Sequence, residues 1–403
     1  MVKPKDTWHL LLQQTLMENL LGYWRKGSVR SLTYQWGLVV AILLAIFWVF
    51  DTASTNLGRL GIQTGFGFLD DESGFQISQT LFPYSAESTY IDALLVTFTN
   101  TILLSVIAIF IATFLGFFIA LSRLSDNLLL RKFGNFYVEM FRNIPLLLQL
   151  FFWYFAALKL LPAKRESINL FDVAFLNIEG FVVPAPVFEA DANSILWAIV
   201  ISFALAFGIW RWARNRQITT GEPFPSFLVG LGLVVFIPLI VAWIQDFPIS
   251  WEIPKFGRFN FEGGISLQPE FTAMLFGLTL YNAAFIGEII RAGILSVHKG
   301  QREAANSIGF KQMQIYSEII VPQALRLIIP PLTNQYLNLT KSTALAAAIG
   351  YPDFFWALSG AISSQTGQVL ELQAITIFGY LGISLFIAAI MAIYNHATRI
   401  PER

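Results

Sequence analysis

Glu303-Ala-Ala-Asn-Ser-Ile-Gly309-Phe-Lys-Gln-Met-Gln-Ile-Tyr-Ser-Glu-Ile319-Ile-Val-Pro322 mixes polar and apolar residues at helical spacing and holds no run long enough to enter lipid. Ala304 and Ala305 favour a helix, while Ile308, Met313 and Ile315 offer apolar contact. Gly309 permits a tight bend between two short helical pieces. Such a segment lies along a membrane surface as a short helix or docks a partner, with a merely solvated connector as the plainer alternative.

On both sides of this segment the chain turns apolar. Of its 403 residues, 55% are hydrophobic and 13% charged, and the mean hydropathy is +0.60. A soluble domain carries about 25% charged residues, so most of this surface is expected to meet lipid. A spanning helix needs about 20 mostly apolar residues, which gives about eight candidates. They are 36–50, 91–121, 137–161, 195–213, 227–244, 271–295, 322–349 and 372–394, the fourth and fifth forming a helix pair inside an insertion. Helices are required because lipid offers backbone groups no hydrogen-bond partner. The expected class is an all-α integral membrane protein.

Charge position sets the orientation, since cytoplasmic loops collect Lys and Arg. Arg25, Lys26 and Arg30, then Arg123, Arg131 and Lys132, then Arg211, Arg214 and Arg216, then Lys299, Arg302 and Lys311 all fall on one face. The opposite loops carry acids such as Asp70, Asp71, Glu72, Glu189 and Asp191. Both termini and the 299–321 loop are therefore expected in the cytoplasm. The parts are 1–35, a cytoplasmic segment without a removable signal peptide; 36–90, the first span and an external loop; and 91–398, the main membrane domain with an insertion at 162–270. The external stretches 51–90 and 162–193 show no helical period and read as irregular caps. Net charge is zero, which argues against nucleic-acid binding, and the absence of cysteine removes disulfide and thiolate chemistry. His9, His298 and His396 lie far apart and form no metal-ligand spacing.

Glu-Ala-Ala, three residues, Gly309, nine residues, Ile319, two residues and Pro322 is a spacing that resembles the coupling loop of binding-protein-dependent ABC importer permeases of type I. The flanks Tyr281-Asn-Ala-Ala-Phe-Ile-Gly-Glu288-Ile-Ile-Arg291 and Pro322-Gln-Ala-Leu-Arg-Leu-Ile-Ile-Pro330-Pro331-Leu-Thr-Asn334 look like polar amino-acid permeases. Phe141-Arg-Asn-Ile-Pro145-Leu-Leu-Leu-Gln149 and Ser364-Gln-Thr-Gly367-Gln resemble the long general L-amino-acid permeases. The resemblance covers roughly 97–402 and is weakest in the insertion. It implies a membrane subunit gripped at 299–321 by an ATP-binding subunit, beside a second homologous permease and an extracytoplasmic amino-acid-binding protein, in a cell inner membrane. By the same resemblance Glu303, Ala304, Ala305, Gly309, Ile319 and Pro322 are the ATPase-coupling residues, with Glu303 contacting the ATPase surface, Gly309 setting the turn and Pro322 starting the next span. No G-x-x-x-x-G-K-[ST] cradle occurs, so ATP and Mg are assigned to the partner and no cofactor to this chain. A secondary carrier or channel would call for inverted repeats and several buried acids, and a membrane enzyme for facing His, Asp, Glu or Cys clusters; neither pattern is seen.

Polar groups inside spans are costly and hence candidates for the substrate path. Glu288 lies 11 residues before Lys299 and Asn334 lies 12 after Pro322, which at about 1.5 Å per residue puts both near mid-bilayer, able to share a cavity. Asn282 and Asn338 are expected nearer the outer face, with Gln149 reaching the same space. Amides beside one carboxylate suit a zwitterion. Against this, Glu288 and Arg291 stand three apart and can neutralise each other, as can Glu139 and Arg142. Arg326 and Lys341 are expected to snorkel to the two surfaces, and Pro330-Pro331 to kink their span.

Overall fold

The computed structural model describes residues 27–59, 65–188, 193–222, 224–245 and 249–397. The expected positions of both termini, and His9, fall outside them. Helix α1 (Gly27–Arg59) is followed by an external cap and by α2 (Tyr90–Leu124). Next come α3 (Leu128–Asn143) and α4 (Leu146–Phe151), which continues through a π turn and a 3-10 turn to Leu160. The insertion holds α5 (Asn193–Thr220) and α6 (Ser226–Ile244); α7 (Pro269–Leu295), α8 (Lys299–Ser307), α9 (Val321–Ser342) and α10 (Val369–Ala397) complete the chain.

Each expected span meets a helix, though the one expected at 137–161 is split between two helices, and the count of eight is not confirmed. Five helices are long and apolar enough to cross, and seven spans result if each of two bent pairs is one span. The apolar part of α6, Val229–Ile244, is shorter. The first span is longer than its apolar run suggests, because the helix starts at Gly27 and its candidate span runs Arg30–Asn56. The bend of 101° between α3 and α4 follows from Pro145, which disfavours helical backbone at Ile144 (ψ 125°). The helix of α9 runs unbroken through Pro330–Pro331, and the 55° break falls instead between Ile349 and Phe354, where Gly350 takes φ +81°.

Helix α7 is the hub, and glycines on it and on α2 let three neighbours approach. A Cβ on Gly277 would collide with Leu150 of α4, and one on Gly293 with Ile328 of α9. On α2, a Cβ on Gly116 would meet Ile286 of α7 at 2.7 Å. Lipid gives helices no hydrophobic reason to associate, so such small-residue contacts carry the packing. The buried core follows: Leu104, Ala108 and Ile119 of α2, Leu150 of α4, Met274, Leu278 and Ile286 of α7, and Ile328 and Leu339 of α9.

The external segments are more ordered than the sequence suggests. Residues 65–89 cap α2, with Phe68 and Phe75 against Tyr90 and a capping box of Thr89 and Asp92. The insertion carries strands within 168–267: β1 (Ile168–Leu170), β2 (Ala174–Asn177) and β3 (Gly180–Val183) form an antiparallel sheet closed by β8 (Ile265–Leu267). The pairs β4 (Ala185–Phe188) with β5 (Ile249–Glu252) and β6 (Lys255–Phe256) with β7 (Phe261–Glu262) lie between them in sequence. Strands of two to four residues are too short for a period-2 pattern to be read.

Candidate functional site

Helix α8 opens at His298, whose Nδ1 accepts the Gly300 N–H at 3.1 Å. It closes in a Schellman turn: Gly309 N–H donates to the Asn306 carbonyl and Phe310 N–H to the Ala305 carbonyl, both at 3.1 Å. Gly309 carries φ +86°, the left-handed backbone that glycine adopts without a Cβ penalty. Ala305 is buried with Ile315 and Ile320, against Ile294 and Val297 from the end of α7. A larger side chain at Ala305 would lift the loop off the bundle. Glu303 and Ala304 are exposed, as are Ile308 at 75% and Met313 at 79%. Basic Arg302 stands over the Tyr316 ring at 5.9 Å. The motif thus divides its residues: Ala305 anchors, Gly309 turns, and Glu303, Ala304, Ile308 and Met313 face outward.

Ile319 is half-buried at the loop's edge. Pro322 does not start the next helical run. The helix begins at Gln312, passes through a π turn at Ile315–Ile320 and reaches Pro322 in the first turn of α9. A π turn, the wider form found as an insertion within α-helices, here leads into a proline that has no N–H to donate.

The substrate-path candidates separate. Gln149 is buried and donates to the Phe141 and Ile144 carbonyls, each at 2.9 Å, so it clamps the α3–α4 bend instead of reaching a shared cavity. Asn282, 2% exposed, donates to Leu278 O and accepts from Gln335 Nε2, both at 2.7 Å, tying α7 to α9. Glu288 is ion-paired to Arg291 at 2.8 Å, as the neutralising reading had it, and also to Arg123 of α2. Arg123 is the penultimate residue of α2, so this pair ties Glu288 to the C-terminal end of that helix. The cavity beside it, about 280 Å³, is lined by Arg123, Val138, Glu139, Arg142, Asn143, Phe285 and Glu288. Asn334 is not in that lining, so the two do not share it.

Asn334 and Asn338 instead lie on an exposed face of α9 with Leu327, Pro330, Pro331 and Lys341. Their spacing of three and four residues makes this one stripe. Arg326 does not snorkel freely, since its Nε and Nη2 are buried without an acceptor among the described residues. Glu139 and Arg142 make no ion pair among the described residues; Arg142 lies over the Phe285 ring at 5.0 Å, which takes it away from Glu139.

Sequence reasoning missed Asp353, which is fully buried in the Gly350–Asp353 break. It accepts the Trp356 N–H at 2.8 Å and the Tyr380 hydroxyl at 3.1 Å. Asn100 and Thr101 of α2 hold the same break through Pro352 O and Phe354 N–H. The signal was an acid inside an apolar run, the same signal that singled out Glu288.

Residues 219–400 match the family described as "Binding-protein-dependent transport system inner membrane component". YhdX of Escherichia coli strain K12, named as an amino-acid ABC transporter permease protein, is 44% identical over 93% of this chain and 96% of its own. AapQ of Rhizobium johnstonii, a general L-amino acid transport system permease protein, is 42% identical over 93% of each. BztB of Rhodobacter capsulatus, a glutamate/glutamine/aspartate/asparagine transport system permease protein, is 35% identical over 93% of this chain and 95% of its own.

Proposed function

Because the chain belongs to the binding-protein-dependent inner membrane components, and among them to the amino-acid ABC transporter permeases, we propose that it is a membrane-spanning subunit of an ATP-driven amino-acid importer. The carrying observation is the 299–321 loop. It is a short helix seated on the bundle through Ala305, Ile315 and Ile320, and it presents Glu303, Ala304, Ile308 and Met313 to whatever lies beyond. Exposed Ile and Met beside Arg302 and Lys311 suit a protein groove with acidic edges better than water. A separate ATP-binding subunit that closes on this helix would push directly on α7 and α9, since Ile294 and Val297 touch the loop and α9 continues from it. Hydrolysis, with its ATP and Mg, then belongs to that subunit, and this chain needs no cofactor of its own.

The exposed Asn334 and Asn338 stripe and the unanswered Arg326 donors favour a second permease against α9, because polar groups turned to lipid are expensive. Between the two subunits these amides would line the translocation path. The acidic outer loops would receive the amino-acid-binding protein, and the basic face would lie in the cytoplasm, placing the complex in an inner membrane. Purification of the tagged chain in mild detergent is expected to bring an ATPase and a second permease, and Gly309→Pro is expected to abolish that ATPase association and uptake while the chain still inserts. Recovery of the chain alone, still moving solute, would reject the reading in favour of a secondary carrier or channel.

A further inference from the structure

We infer that the cavity between α2, α3 and α7 is an exit-side site for a free α-amino acid, with Arg142 taking the carboxylate and Glu139 the ammonium. This rests on the importer reading above and adds the chemistry of one site.

The cavity lies at the cytoplasmic end of the bundle, where Arg123 ends α2 and the α3 residues Glu139, Arg142 and Asn143 face Phe285 and Glu288 of α7. Its volume is about 280 Å³, well above the space that one water needs.

The charges around it are not equivalent. Glu288 is answered twice, by Arg123 and Arg291, and Arg123 is fixed further by donating from Nε to Asn135 Oδ1 at 2.8 Å. That triad is closed. Glu139 and Arg142 are open: both are solvent-exposed at the cavity mouth, and neither has an ion pair or hydrogen bond among the described residues, though they stand one helical turn apart. Arg142 is held with its guanidinium over the Phe285 ring. That contact uses none of the guanidinium N–H donors in a hydrogen bond, and five donors in a fork suit a carboxylate.

A ligand that answers both must carry a negative and a positive group a few ångströms apart. A lone carboxylate would meet Glu139, and a lone amine would meet Arg142. The α-carbon of an amino acid carries both groups, and Asn143 can donate to the same carboxylate. The side chain would point toward the open mouth, so the site reads the head group and tolerates many side chains.

The test uses the assembled importer, purified without binding protein, and titration calorimetry with alanine, alaninamide and lactate. These differ only in which head-group charge is present. Alanine is expected to bind at least about tenfold tighter than either analogue, because a site built for a group rejects ligands that lack it. Arg142→Gln should erase the preference over alaninamide, and Glu139→Gln the preference over lactate, each leaving the other intact. Arg142→Lys and Glu139→Asp, which keep the charges, should retain part of both preferences. No alanine binding, equal binding of the three probes, or preferences unchanged in the Gln variants would overturn the site. Those results with ATP-driven uptake intact in vesicles would leave the importer reading standing; absence of all ATP-driven amino-acid uptake would remove both.

Discussion

Helices α7 and α9 are neighbours and both carry asparagines, yet they use them in opposite ways. Asn282 of α7 is 2% exposed and satisfied at both ends of its amide, whereas Asn334 and Asn338 of α9 stand on a bare face. Residue type and depth do not separate them; orientation about the helix axis does. Inward polar groups hold this subunit together, and the outward ones contribute no such tie.

The contrast can be broken most forcefully at the hub. Gly293→Leu places a side chain where Ile328 already sits, and overpacking of this kind costs about 1–3 kcal/mol or more. A large drop in the thermal midpoint of the detergent-purified subunit is the expected result. Next, Glu288→Ala strands Arg123 and Arg291. Breaking a buried pair costs about 3–5 kcal/mol, and with Glu288 27% exposed we expect about half of that. Charge reversal at both Arg123 and Glu288 should recover part of the loss in the same melt.

Asn282→Ala leaves Gln335 without its acceptor and should cost about 1–3 kcal/mol. Asn334→Ala should change the melting of the isolated subunit by no more than about 0.5 kcal/mol while lowering uptake by the assembled complex. If Asn282→Ala impaired uptake without affecting stability, or Asn334→Ala did the reverse, the division between the two helices would be wrong. Gly309→Ala probes the loop itself. Nothing stands within 4 Å of a Cβ there, so only the left-handed backbone is penalised, by about 1–2 kcal/mol. ATPase coupling should weaken modestly, with the rest of the fold unchanged.

The membrane class and the approximate place of most helices were legible because lipid enforces one rule, that long apolar runs become helices. The loop's two-piece shape was legible too, since Ala305, Gly309 and the hydrophobic spacing are local. The strands of the insertion were not, because Phe171 and Asp172 turn at φ 60° and 58° without the Asn-Gly signal that such a hairpin usually carries. The π turn before Pro322 and the break at Gly350 escaped for a related reason: a long helix with proline at its start looks the same in sequence wherever it bends.

Among the candidates, spacing nominated Gln149, Asn282, Glu288, Asn334 and Asn338 on equal terms, because an intramembrane polar residue announces its cost and not its direction. The amino-acid sequence by itself determined that this chain lives in lipid, roughly where its helices fall, and which segment stands out as an amphipathic loop between spans. The tertiary structure alone decided that Gln149 clamps a bend, that Asn282 and Glu288 are already answered from other helices, and that Glu139 and Arg142 are left open over a cavity. Those outcomes depend on which side chains meet across helices, and such meetings are set by packing at Gly116, Gly277 and Gly293, far from the residues whose roles they assign.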